Sequence, residues 1–249
     1  MSEKKPEHFE GKDALAHVIE ARLKSKEAFS EMHGSSVPAH LFFATDAIKE
    51  TSILSLVLWI SLSILVPMHW MSILLTFILS WLFLKTAHVA YLGWARLERL
   101  HRLITEERWE IEHHREQEKE ELIALYRAKG FSGKLLDEVI DVLMSDDHYL
   151  LQIMLEEELG LTLKAFEHPL RQAFGAFIGV LFSSFLLGIG AFIWPSYGIV
   201  VVASLLVAAT TWMIAKKEKR NIFRAVMYAG GIAGICSLIS YYMTQILSP

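Results

Sequence analysis

Five stretches of mostly apolar residues, at roughly 44–66, 70–91, 172–194, 197–215 and 223–247, constrain this chain more than any other feature. Each is close to the ~20 residues that a helix needs to cross the hydrocarbon core of a bilayer. Inside that core every backbone N–H and C=O must find a partner, and an isolated run can satisfy them only as a helix. The sequence therefore predicts an all-α membrane protein with five spans. An apolar content of 53% over 249 residues, with six prolines, agrees: it is too high for an ordinary soluble domain or a disordered chain. The expected organisation is a cytosolic amphipathic segment over 1–40, spans one and two within 41–95, an acidic module over 96–167, and spans three to five within 168–249.

Orientation follows from where Lys and Arg fall between the spans. The turns "VPMHW" and "WPSYG" carry neither, whereas "KKEKRNIFR" between the last two spans is rich in both, as are the N-terminal tail and the long segment after the second span. All basic segments then lie on one side, which places the N-terminus in the cytosol and the C-terminus outside. In a bacterium the membrane would be the plasma (inner) membrane. The charged start "MSEKKPEHFEGKDALAH" is not a secretory signal, so the first span is expected to direct insertion itself. Within this tail Leu15, Val18, Ile19 and Leu23 have the spacing of a helix lying on the membrane surface or on the acidic module. The single cysteine, Cys236, lies in the fifth span and says nothing about redox compartment.

The segment between the second and third spans holds most of the acids, densest in "EERWEIEHHREQEKEEL" at 106–122. From 96 to 129 it has no proline or glycine and reads as a straight continuation of the second membrane helix. "KGFSG" ends that helix with a C-cap glycine. Two shorter helices are predicted over 133–144 and 146–160, the second capped by Ser145 or Asp146 and closed by Gly160. The three together form a small helical module.

Glu107, Glu110, His114, Glu118 and Glu121 are spaced by three, four, four and three residues, which sets them on one stripe of such a helix. Carboxylates so spaced repel by a few tenths of a kcal/mol per pair. Arg108, Arg115 and Lys119 lie off the stripe, nearer Glu112 and Glu116, so the stripe calls for a cation from elsewhere. Met154, Glu157 and Glu158, with Asp147 one to two turns back, form a second cluster on the last helix. If the module folds back on itself, carboxylates from two helices and a thioether converge. Such a set suits Mn²⁺ or Fe²⁺, and the sulfur disfavours Mg²⁺ and Ca²⁺. An acidic helix is also the ordinary form of a solvated surface, and a methionine on an amphipathic helix is the ordinary form of a core residue, so spacing alone leaves both readings open.

Three segments carry a resemblance: "ARLERLHRLITEERWEIEHHREQEKEELIALYRAKGF", then "VIDVLMSDDHYLLQIMLEEELGL", then "HPLRQAF" leading into a span. Together they resemble the vacuolar iron transporter family from about 95 onward. The resemblance implies a five-span homodimer that moves Fe²⁺ or Mn²⁺ out of the cytosol against protons. It also implies that Glu107, Glu110, Glu118, Glu121, Met154 and Glu158 stand at the positions of the family's cytosolic metal ligands. Spacing alone adds His114 and Glu157 as further candidates. Where the family pattern has a second methionine, this chain has Leu155.

The membrane half departs further from the pattern. Asp46 in "FFATDAIKE" matches the family's first-span aspartate without its glycine. "LKTAHVAYLGWA" keeps Tyr91 but has Lys85, Thr86 and His88 where the family has a methionine and an acid. Asp46, Lys85 and His88 are the candidate path residues. Asp46 and Lys85 fall at comparable depth, and ionisable groups inside a span are costly unless paired or hydrated. An Asp46–Lys85 ion pair that gates or replaces a cation path is one expectation. The other has Lys85 snorkelling to the headgroups while Asp46 pairs with Lys49.

Three readings of function therefore stand: a divalent iron or manganese transporter; a membrane-anchored metal-binding or sensing protein of the same fold without transport; and an acidic docking surface for a basic partner. Glu110 to His113 spells ExxH, but a di-iron helix bundle needs two such motifs and two further carboxylates. Gly175 and Gly179, like Gly230 and Gly234, have the GxxxG spacing that permits close helix packing. No Walker loop, nucleophile elbow or dinucleotide fingerprint occurs, so no catalytic residue, enzyme activity or organic cofactor is expected. The acidic module argues against nucleic acid. The expected partners are divalent metal ions, protons, membrane lipid and a second copy of the chain.

Overall fold

The computed structural model describes residues 37–157 and 167–248. The described residues form eight helices and no strand: α1 (Ala39–Leu65), α2 (Trp70–His113), α3 (Arg115–Ala128), α4 (Lys134–Leu143), α5 (Asp147–Glu157), α6 (Pro169–Ile193), α7 (Gly198–Lys217) and α8 (Ile222–Leu247). Five of them, α1, α2, α6, α7 and α8, are long and apolar enough to cross a membrane. The expected number of spans is met. The N-terminal amphipathic pattern at Leu15 to Leu23, the closing Gly160 and Glu158 lie outside the described residues.

These residues divide into two compact units, one of 95–157 and one of 37–94 with 167–248. In the membrane unit α1 is central, packing against α6, α7 and α8. Two glycines explain how α6 approaches it. A Cβ on Gly175 would lie 2.2 Å from the His40 carbonyl oxygen, and one on Gly179 would lie 2.3 Å from that of Ala44. The first GxxxG pair thus lets two backbones touch, whereas Gly230 and Gly234 face open space. The turn between α6 and α7 is equally tight, since a Cβ on Gly198 would meet the Gly190 carbonyl oxygen. Ser240 of α8 donates to the Val57 carbonyl at 2.9 Å and lies 2.8 Å from the Ser61 hydroxyl of α1, tying these two spans by polar contacts. The second span reaches α1 through long side chains: Trp81 Nε1 donates to Thr51 Oγ1 at 3.1 Å.

The acidic unit packs around Leu100, Ile111, Leu122, Leu136, Ile140 and Leu150, joined by Met154 and Leu155. One expectation is corrected here. The straight helix over 96–129 is broken at His114, whose backbone (φ −128°, ψ 32°) leaves the helical region. Its N–H still donates to the Glu110 carbonyl at 2.7 Å, ending α2, while its carbonyl accepts from Gln117 and Glu118, starting α3. No proline or glycine marks the break, which is why the sequence reads through it.

The other helix ends follow their sequence signals. Gly130 takes φ +96° after α3; its N–H donates to the Arg127 carbonyl and that of Phe131 to Tyr126. This is the paired bonding of a Schellman end, completed by Tyr126 packing edge-on to Phe131 at 5.5 Å. Asp146 caps α5, its Oδ1 accepting from His148 N at 2.7 Å. Asn221 does the same for α8.

Candidate functional site

In the acidic unit the stripe faces inward. Glu107, Glu118 and Glu121 are 4%, 0% and 1% exposed, and Glu110 and His114 are partly buried. The intervening acids Glu106, Glu112, Glu116 and Glu120 are all exposed. Since an ionised carboxylate is expensive to bury, each inward one must be met by a cation, by hydrogen-bond donors or by a proton. A solvated face is therefore the wrong description of this stripe. The break at His114 divides it, with Glu107 and Glu110 on α2 and Glu118 and Glu121 on α3. Trp109 braces the break, stacking on His113 at 4.5 Å between ring centres and meeting His114 edge-on at 5.4 Å.

Two of the basic side chains off the stripe reach across to other helices of the unit. Arg115 reaches the turn between α4 and α5, with Nη1 2.5 Å from Asp147 Oδ1 and Nη2 donating to the Met144 carbonyl at 2.7 Å. Lys119 lies 3.8 Å from Asp141 on α4. Asp147 is thus an exposed partner of Arg115, whereas Met154 is fully buried. Glu157 pairs with Lys129, whose ammonium also sits 4.9 Å from the Tyr126 ring centre. Burial raises the Tyr126 phenol above its ordinary value, with Lys129 opposing and Glu157 adding to the rise. Met154 is fully buried in the core of the unit and Leu155 nearly so. His113 turns outward, its Nδ1 2.9 Å from the Trp109 carbonyl, so ExxH does not assemble as a di-iron half-site. Among the described residues no three His, Cys, Asp or Glu side chains gather as a metal-holding group.

In the membrane unit Lys85 Nζ lies 3.1 Å from Asp46 Oδ2 and 2.5 Å from Glu50 Oε2. Lys49 Nζ stands 3.8 Å from the other Asp46 oxygen. Both expected pairings of Asp46 are therefore present, and Glu50 joins them. Glu50 was not singled out in the sequence, although it stands one helical turn from Asp46 at i+4. Lys85 is 7% exposed. His88 is exposed, turned away from the side of α2 that buries Lys85 and Val89, and so stands apart from this cluster.

The ends of three spans also meet through residues the sequence did not flag. Glu167 accepts from the His40 backbone N–H at 2.7 Å and lies 2.8 Å from its ring Nδ1. Burial pushes the Glu167 carboxyl up, but the bonds from the His40 backbone and ring, with the charges of His40 and Arg171, hold it below its ordinary value. His168 caps α6 and packs edge-on to Trp94 at 5.6 Å.

A family model described as the VIT family matches residues 87–245, well over half of the 249-residue chain. The matched stretch takes in the described acidic unit and the last three spans, and leaves Asp46, Glu50 and Lys85 outside it. No curated protein and no solved structure matches the chain.

Proposed function

This chain belongs to the VIT family, a family of membrane metal-ion transporters, and has five helices long and apolar enough to cross a membrane; on that premise we propose that it moves Fe²⁺ or Mn²⁺ out of the cytosol in exchange for protons. In this reading the acidic unit is cytosolic, the N-terminus lies on the same side, and the C-terminus faces outward across a plasma (inner) membrane. The working form is a homodimer in membrane lipid. Glu107, Glu110, Glu118 and Glu121, with Met154 and Glu158, capture the ion, and His114 and Glu157 flank them. Asp46 in the first span receives the captured ion.

The observation that carries this reading is the alternation of burial along 106–121: the acids of the stripe turn inward while their neighbours stay in water. Since carboxylates bind metal only when deprotonated, capture weakens as pH falls towards their pKa values. A proton gradient that protonates the path on the far side would favour release there.

The test is uptake of Fe²⁺ and Mn²⁺ into proteoliposomes containing the full-length protein, with and without a proton gradient, beside Asp46→Ala. Gradient-dependent accumulation that is lost in Asp46→Ala supports transport. The absence of accumulation under any gradient, with metal still bound, supports a membrane-anchored metal-binding or sensing protein instead. One observation favours that second reading: Lys85 is ion-paired with both Asp46 and Glu50, the first of which is the proposed path carboxylate.

A further inference from the structure

We propose that Lys85 occupies a divalent-cation site formed by Asp46 and Glu50, a tethered ammonium that keeps the first span closed to metal while it is in place. Asp46 and Glu50 present oxygens to the same nitrogen, at 3.1 and 2.5 Å, from successive turns of α1. Two carboxylates held at one point repel each other unless a cation sits between them. The position of Nζ is therefore a place where a cation is needed, and oxygen ligands converging on one point suit a hard or borderline divalent ion.

The surroundings fit an occupied site better than an incidental surface pair. Among the described residues Lys85 is the one buried lysine. Its side chain is 9% exposed, whereas those of Asp46 and Glu50 are 29% and 41% exposed, so the ammonium is the most enclosed member of the group. With Lys49 on the second oxygen of Asp46, two acids meet two bases and the group carries no net charge. A divalent ion arriving here meets cancelled carboxylates and a fixed positive charge. Removing Lys85 alone leaves two acids against Lys49, with an open position between them. A lysine suits this role because it is a compact charge on a flexible four-carbon stem, able to withdraw without disturbing the helix that carries it.

The inference rests on the transport reading only in taking the cation to be divalent. Its test counts Mn²⁺ bound to the full-length protein in nanodiscs, from the electron paramagnetic resonance signal of the free ion. Lys85→Met is expected to bind about one more Mn²⁺ per chain than wild type, as one newly opened oxygen site requires. Lys85→Arg, which keeps the charge, is expected to bind no more than wild type. Adding Asp46→Asn or Glu50→Gln to Lys85→Met is expected to remove the extra ion. Lys85→Gln keeps a polar group against the two acids and carries the same expectation where methionine disturbs packing.

Equal counts in wild type and both neutral variants, with unchanged elution and melting, would overturn the proposal. So would an extra ion that survives loss of both carboxylates. Because the count compares variants sharing an unaltered acidic unit, its outcome does not depend on whether wild type transports metal.

Discussion

Glu167 closes the first turn of the first span from 127 residues away, accepting the His40 backbone N–H at 2.7 Å. That N–H is one of the donors a helix start leaves without an internal partner, and Pro38 at the cap position makes no side-chain bond of its own. A carboxylate preceding the third span thus completes the first. Glu167→Gln is expected to cost about 1 kcal/mol at neutral pH, the scale of a lost helix cap. The carboxyl is held below its ordinary 4.5 in the folded protein, so its contribution is complete above that value and fades as pH falls through the depressed one. Thermal melts of the detergent-solubilised protein should show the gap between wild type and variant closing in acid; a gap independent of pH would count against the carboxylate.

Gly179 has no room for a side chain. Gly179→Leu is expected to force α1 and α6 apart and cost at least about 1–3 kcal/mol, as overpacking generally does. Gly188, on the same helix, faces open space, and Gly188→Ala should stay within about 1 kcal/mol of wild type, given the better helix propensity of alanine. Fluorescence-detected size-exclusion after a heat step separates the two. Equal losses in both variants would mean that α6 does not depend on backbone contact.

Glu118 and Glu116 are two residues apart, one buried and one in water. If the stripe captures metal, Glu118→Gln should weaken Mn²⁺ binding by at least about tenfold, the scale on which even outer-shell partners of a metal act. Glu116→Gln should leave binding unchanged. Calorimetric titration of the full-length protein decides it, and equal effects would mean that the buried stripe does not bind the metal.

Met154 tests core against ligand. Met154→Ala opens a cavity in the acidic unit and is expected to cost about 2–5 kcal/mol. Met154→Leu conserves volume and should cost less than about 1.5 kcal/mol while removing the sulfur. A ligand role predicts that Met154→Leu melts like wild type but loses affinity for Fe²⁺ relative to Mg²⁺. Unchanged metal preference would leave Met154 a core residue only.

The five spans were legible because their signal is local: some 20 apolar residues in a row must become helix in a bilayer whatever surrounds them. The helix ends were legible for the same reason, since Asp146 and Gly130 act on backbone within a turn of themselves. The break at His114 was not, because it lacks the proline or glycine that announces most helix ends. Glu50 was missed although its spacing from Asp46 is regular, because an acid at i+4 becomes informative only once something stands opposite it.

By itself the sequence determined the number and kind of the membrane spans, the acidic stripe and the family resemblance, all of which follow from spacing along a single chain segment. Only the tertiary structure decided which acids of 106–121 turn inward, which glycine pair meets another backbone, and that Lys85 is shared by Asp46 and Glu50. The physical reason is range. Helical periodicity fixes which side chains share a face, but burial and ion pairing depend on what packs against that face, and those partners come from segments 39 residues away for Lys85 and 127 for Glu167.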